Sequence, residues 1–159
     1  MPLPTLPKRL QVIERIIDVL ETISSGSNYF LTPYEVNRRF KHWDEISGSP
    51  TYSVHSDSGG EIVAHIDSNY DETFYVVVKG VIDNMDDPVG TLEKSIRDVQ
   101  KAINADSINR TDTASLSYIA THVKIADPPD TDNGNLSING KAYFEQRIQI
   151  TISGDFGEL

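Results

Sequence analysis

The chain has no cysteine and no uninterrupted apolar run long enough to span a bilayer. Without cysteine, disulfides and thiolate metal sites are both excluded, and an intracellular life is expected. A membrane helix needs about 20 consecutive apolar residues, and no segment approaches that. The opening "MPLPTLPKRL" has prolines where a leader needs its apolar stretch, so a soluble intracellular protein is expected. Positive charge is also scarce, with 14 basic residues against 24 acidic ones and a net charge of −10. The one dense basic run is "RRFKHW", with Arg38, Arg39 and Lys41. Residues 57–87 carry Asp57, Glu61, Asp67, Asp71, Glu72, Asp83, Asp86 and Asp87 against Lys79 alone. Nucleic-acid binders normally present a basic footprint, so sequence-specific DNA binding is not expected. An acidic surface that repels DNA, or meets a basic protein, suits the balance better.

What is present is strong periodicity. The 159 residues, 38% of them hydrophobic, suffice for one domain spanning 1–159 with a real core. Over residues 8–24, Val12, Ile13, Ile16, Ile17, Val19, Leu20 and Ile23 fill one half of a helical wheel. That face suits a helix lying flat on a sheet, or one that also touches a neighbouring subunit. Lys8 and Arg9 in its first turn and Glu21 in its last oppose the macrodipole, so packing must hold it.

"YFLTPYEVNRRF" reads as a strand with Phe30, Thr32, Tyr34 and Val36 on one face, and Pro33 marks it as an edge or a bulge. "SPTYSVHSDSGGEIVAHIDSN" reads as two short strands about a Ser-Asp-Ser-Gly-Gly loop, giving an arm over 53–72. "TFYVVVKGVI" is almost continuously apolar and reads as a central strand covered on both faces. Asp87-Pro88 supplies an N-cap and first-turn proline for a second helix over 88–105. In it Leu92, Ile96, Val99 and Ile103 face inward, while Glu93–Arg97 and Lys94–Asp98 pair outside. "LSYIATHVKIAD" alternates as a half-buried strand, and "PPDTDNGN" is turn chemistry. In "AYFEQRIQITI", Phe144, Ile148, Ile150 and Ile152 are in step as a last strand. This order predicts a single α+β domain: a mainly antiparallel β-sheet packed with an N-terminal helix and a second helix between strands.

No segment carries a catalytic, cofactor or metal signature. "GNLSINGKAYF" approaches a phosphate loop, but five residues separate Gly134 from Gly140, and Ala142 stands where the magnesium-binding hydroxyl belongs. It also leads into a strand rather than a helix, which leaves Lys141 a loop lysine. "DSNYDE" spaces Asp67, Asn69 and Asp71 like a calcium loop, yet Glu72 and Val78 occupy the places of its glycine and closing glutamate. It reads as a solvated acidic loop. His42, His55, His65 and His122 form no pair at metal spacing. No Gly-x-Ser-x-Gly elbow appears, and abundant carboxylates do not identify a glycosidase pair. "RRFKHW" offers phosphate contacts and a stacking Trp43, but reads first as a basic strand end with a core tryptophan.

The whole-chain layout resembles the tail terminator, or tail completion, proteins of long-tailed bacteriophages. The likeness covers residues 8–153. It lies in "IERIIDVLETI", "YFLTPYEVNRR", "SPTYSV", "FYVVVKGVID", "LEKSIRDVQKAI" with "NAD", and "GKAYFEQRIQITI", in that order. The resemblance implies a virion protein of the tail or neck, assembled in the host cytoplasm, with no enzymatic role, cofactor or membrane contact. It implies a homo-oligomeric ring of six subunits that caps a finished tail tube and docks the neck or head connector protein. Genome DNA would pass its acidic lumen without specific binding. Contacts are expected from Ile13, Ile17 and Leu20 toward a neighbour. Further contacts with the tube protein or connector are expected from Asp57, Glu61, Asp67 and Asp71 in the arm, from Asp130, Asp132 and Lys141 in the loop 127–141, and from Arg38 and Arg39.

A head-to-tail connector shares this class. A small α+β enzyme or ligand-binding domain is the reading from another class, and a cleft of converging histidines and carboxylates would distinguish it.

Overall fold

The computed structural model describes residues 6–41, 43–132 and 140–157. In chain order the elements are α1 (Lys8–Glu21), β1 (Glu35–Asn37), a 3-10 turn at Trp43–Glu45, β2 (Thr51–Ala64) and β3 (Asn69–Asp83). There follow α2 (Pro88–Ser107), α3 (Leu116–Ile119), β4 (His122–Ile125), β5 (Asp130–Asp132) and β6 (Lys141–Asp155). The strands form one sheet in the order β1-β2-β3-β6-β4, with β5 also on β6. Every pairing is antiparallel except β1 with β2. This is an α+β domain.

Side chains alternate across a strand, so period-2 patterning sets which face of the sheet is buried. In β6, Ala142, Phe144, Ile148, Ile150 and Ile152 are all fully buried and Gln146 shares their face at 1% exposure, while the alternate residues are half-buried. Across the register lie Phe74, Val76, Val78 and Ile82 of β3. Onto this face pack Val12, Ile16 and Leu20 of α1 and Leu92, Val99 and Ile103 of α2. Gly80 has to be glycine, because a Cβ there would stand 2.1 Å from the buried Phe144 ring.

The Asp87 carboxylate caps α2 by accepting from Gly90 N–H at 2.9 Å, with Pro88 in the first turn. On α1, Lys8 donates to the Ser153 carbonyl, and Arg9 lies 4.8 Å from the Phe74 ring centre and 3.5 Å from Glu72. Tertiary partners therefore hold the end that the dipole disfavours.

Several expectations need correction. The segment 29–40 is a three-residue parallel strand, not a long one: Phe30 and Tyr34 are exposed, and only 35–37 pair with β2. The Ser-Asp-Ser-Gly-Gly stretch does not separate two strands. It is a bulge inside β2, where the register shifts between Asp57 and Glu61 and Gly59 and Gly60 take φ of +102° and +93°. The hairpin turn comes later, at residues 65–68. The stretch 116–125 is not one strand, because Leu116 anchors the short α3 in the core before β4 begins. Asp130–Asp132 pairs as β5 rather than turning, and Lys141 opens β6 opposite Asp83 rather than sitting in a loop. The stretch 133–139, with most of the near-phosphate-loop motif, lies outside the described residues, as does His42.

Asp98 is the sharpest correction. It is 1% exposed, and it makes no ion pair with Lys94. Its carboxylate accepts from Phe30 N–H at 3.0 Å and Leu31 N–H at 2.9 Å, tying the loop after α1 to the middle of α2.

Candidate interaction surface

The two faces of the sheet differ. One is the core. The other is half-open and carries a row of charged and aromatic side chains set by the same alternation. Arg147 on β6 lies 4.0 Å from the Tyr75 ring centre, 3.5 Å from Asp57 and 3.8 Å from Asp127. Lys79 on β3 pairs with Glu145 at 3.3 Å and sits 5.1 Å from the Phe40 ring centre. Tyr143 meets Phe40 edge to face at 6.0 Å and donates to Glu145. Burial, and then that carboxylate, pushes the Tyr143 hydroxyl well above its usual range. Opposite charges alternate along this face, so it presents ordered ion pairs rather than a field of one sign.

At one end the face continues into an arm. Beyond the bulge, Glu61–Ala64 of β2 pair with Tyr70–Thr73 of β3, and β6 runs alongside to Asp155. Ile62 is 56% exposed, Val63 47%, Ile66 103% and Phe156 58%. Phe156 stacks on Tyr70 with ring centres 4.4 Å apart, and its N–H donates to Ser68 carbonyl. Burying one such side chain contributes about 1.5–3 kcal/mol, so the tip holds binding energy that the chain itself does not use.

Chemistry at the tip can be tested directly. The Ser153 hydroxyl donates to Asp71 at 2.5 Å, and His65 Nε2 lies 3.0 Å from the other oxygen of the same carboxyl. The Ser153 contact first, and His65 second, hold Asp71 below the usual carboxylate range. A serine nucleophile needs the imidazole between hydroxyl and carboxylate. Here the carboxylate is in the middle, and the imidazole meets that carboxylate rather than the Ser153 hydroxyl whose proton it would have to take. The depression beside it, about 290 Å³, is lined by these residues with Asn69, Tyr70 and Asp155.

Two other depressions are occupied in similar ways. Between α1 and α2 lies one of about 220 Å³, where Arg15 donates to both Asp106 oxygens at 3.0 and 2.6 Å and to Asp112 at 3.2 Å. Asp106 also accepts from Leu116 N–H at 2.9 Å, so this network seats α3. Its hydrogen bond to Arg15 raises that guanidinium further above its usual value. The third, of about 390 Å³ beside α3 and β4, is lined by Lys8, Arg110, Ser117 and Thr121 among others. Among the described residues no three histidines, aspartates or glutamates converge as metal ligands, and no helix is long and apolar enough to cross a membrane.

The expected contact residues divide sharply. Leu20 is fully buried and Ile17 is 8% exposed, both in the core of their own chain, with Ile13 half-buried against it. Their surface is spent before a neighbour arrives. The basic run is neutralised: Arg38 pairs with Glu14, Arg39 with Glu45 at 2.7 Å, and Lys41 with Glu35 at 2.5 Å. The Lys41 ammonium holds the Glu35 carboxyl below its ordinary value. Asp57, Glu61 and Asp71 share the half-open face by register, and Asp130 stands opposite Glu145 on it. The Asp132 backbone pairs with Tyr143. Asp67 lies in the tip turn, whereas Asn69 and Asp71 belong to β3 and not to an acidic loop.

Sequence reasoning missed Arg147, Tyr75, Lys79 and Glu145. The signal was present in the polar alternate positions of the two longest strands. The sequence matches no known protein-family model and no curated protein.

Proposed function

We propose that the chain is a structural assembly protein: a ring of its own copies that seats on the end of a bacteriophage tail tube, stops its growth and docks the neck. The observation that carries this reading is the arm, a three-stranded extension of the sheet ending in the exposed Ile66 and Phe156. An extended sheet with an uncovered apolar tip is built to be held by another protein. The ordered charge pairs of the half-open face and the net charge of −10 support it further, because a lumen of this character lets DNA pass without sticking.

The test adds purified protein to a polymerising tail tube protein and measures tube length by electron microscopy, with molar mass in solution followed by light scattering. The expected result is short tubes bearing a ring at one end. The double variant Ile66→Asp/Phe156→Asp should keep the native circular dichroism spectrum and lose capping. Tubes that grow equally long with and without the wild-type protein would sink the proposal.

A further inference from the structure

The two outer edges of the sheet are unlike each other and complementary. On one side, β1 covers β2 only at Thr51–Ser53, so among the described residues no strand pairs the outer edge of Val54–Ala64. On the other side, β4 pairs β6 and has no described strand beyond it. An open edge is a template for another strand. We propose that the occupant of the β2 edge is β4 of a second copy of this chain, joined head to tail so that one sheet runs on from subunit to subunit. The proposal rests on the ring reading above and names the contact that would close the ring.

Strand direction agrees. β2, β3, β6 and β4 reverse at each step, so β4 runs opposite to β2. A second copy placed with the same face outward brings its β4 antiparallel to β2. The glycine bulge interrupts the edge and leaves Glu61–Ala64 as the regular segment, of which Glu61–Val63 would face His122–Lys124.

Side chains agree on both faces. Register puts Glu61 on the half-open face with Thr73, and Lys124 on that same face with Gln149. Both are exposed, and among the described residues neither makes an ion pair within its own chain. On the helix side, Ile62 is 56% exposed and Val123 half-buried. Antiparallel pairing that sets Glu61 opposite Lys124 also sets Ile62 opposite Val123, so one register satisfies charge with charge and apolar with apolar. The contact uses two different surfaces of each copy, which makes it heterologous, and such contacts close into rings when the rotation allows.

The absence of cysteine permits a clean test. Glu61→Cys/Lys124→Cys is oxidised and run on a non-reducing gel, beside each single variant and beside Ile62→Cys/Lys124→Cys, whose side chains face opposite sides of the sheet. The two positions lie on opposite edges of one subunit, so a disulfide can only join copies. The expected result is a ladder of linked multimers for the first pair, dimers at most for the single variants, and no ladder for the mismatched pair. No ladder from a double variant whose light-scattering mass is that of a ring overturns the edge contact and leaves the ring reading standing. No ladder from a variant that stays monomeric, when the wild type is monomeric too, overturns both.

Discussion

Asp98→Ala removes the buried side chain that ties the loop after α1 to the middle of α2. The carboxylate is 1% exposed and receives the N–H groups of Phe30 and Leu31 at 3.0 and 2.9 Å. Each N–H left without a buried partner costs about 1–3 kcal/mol. The Phe30 side chain is 58% exposed, so water reaches part of this loop, and the lower half of the range applies. The expected loss is about 2–4 kcal/mol from a total of about 5–15. With a urea slope of about 2 kcal/mol per molar, the unfolding midpoint should fall by about 1–2 M. Asp98→Asn keeps one acceptor oxygen but loses the charge, and should cost about 1 kcal/mol. The assay is urea unfolding followed by circular dichroism, together with hydrogen exchange at the Phe30 and Leu31 amides. Exchange at those two should quicken in both variants, more in the alanine. A midpoint shift below about 0.3 M for Asp98→Ala, or an asparagine variant weaker than the alanine, would refute the account.

Two further outcomes follow from the arm. Gly60→Ala would place a Cβ 2.0 Å from the Thr73 carbonyl oxygen at a φ of +93°, so strain and a backbone clash add. Gly59→Ala at +102° meets the Tyr75 ring at 3.5 Å and Arg147 Nη2 at 4.0 Å, both ordinary contacts, and costs the strain alone, about 1–2 kcal/mol. Thermal melting should therefore fall by about 3–6 °C for Gly59→Ala and clearly more for Gly60→Ala, and equal melting points would count against the bulge. Asp71 contributes stability that is full above the ordinary carboxylate range and is lost as pH falls through its lowered value, because Ser153 and His65 favour the charged form. Carboxyl titration by NMR should find Asp71 below the usual range in the wild type and higher in Ser153→Ala; an unchanged midpoint would show that the hydroxyl does not hold it.

The parts of the fold visible in the sequence are those where local pattern and burial agree. The alternation of β6 named Phe144, Ile148, Ile150 and Ile152 of its buried face, though not the polar Gln146 buried among them, and Asp87-Pro88 marked the start of α2. The errors came where a distant partner decided. Asp98 sits four residues after Lys94 and so reads as an ion pair, but a wheel has no means of showing that the backbone of residues 30–31 crosses the helix there. Gly59-Gly60 suits a hairpin turn and a bulge equally by its φ angles, and the pairing of Glu61 with Thr73 is what selects the bulge. Ile119 fits the strand alternation that runs on through Val123 and Ile125, but Asp106 takes the Leu116 amide and starts a helical turn there. At the surface, Ile17 and Leu20 were legible as apolar but not as already covered, since only the sheet beneath α1 consumes them. Arg147 and Tyr75 looked like filler between apolar positions, and their meeting depends on a register that spans 72 positions of chain.

β6 has a consequence for how the protein is made. This strand pairs with β3 along its whole length and also carries β4 and β5. During synthesis, residues 8–132 are joined before residues 141–155 exist. The apolar stripes of α1 and α2 then have no complete sheet to lie on, and β3 exposes the side that β6 will cover. Order must therefore arrive late and at once, when the last long strand slots in beside β3. Until then the nascent chain is a client for whatever shields apolar surface in the cell, and a ribosome stalled before residue 141 would release a species prone to aggregate rather than a smaller version of the fold.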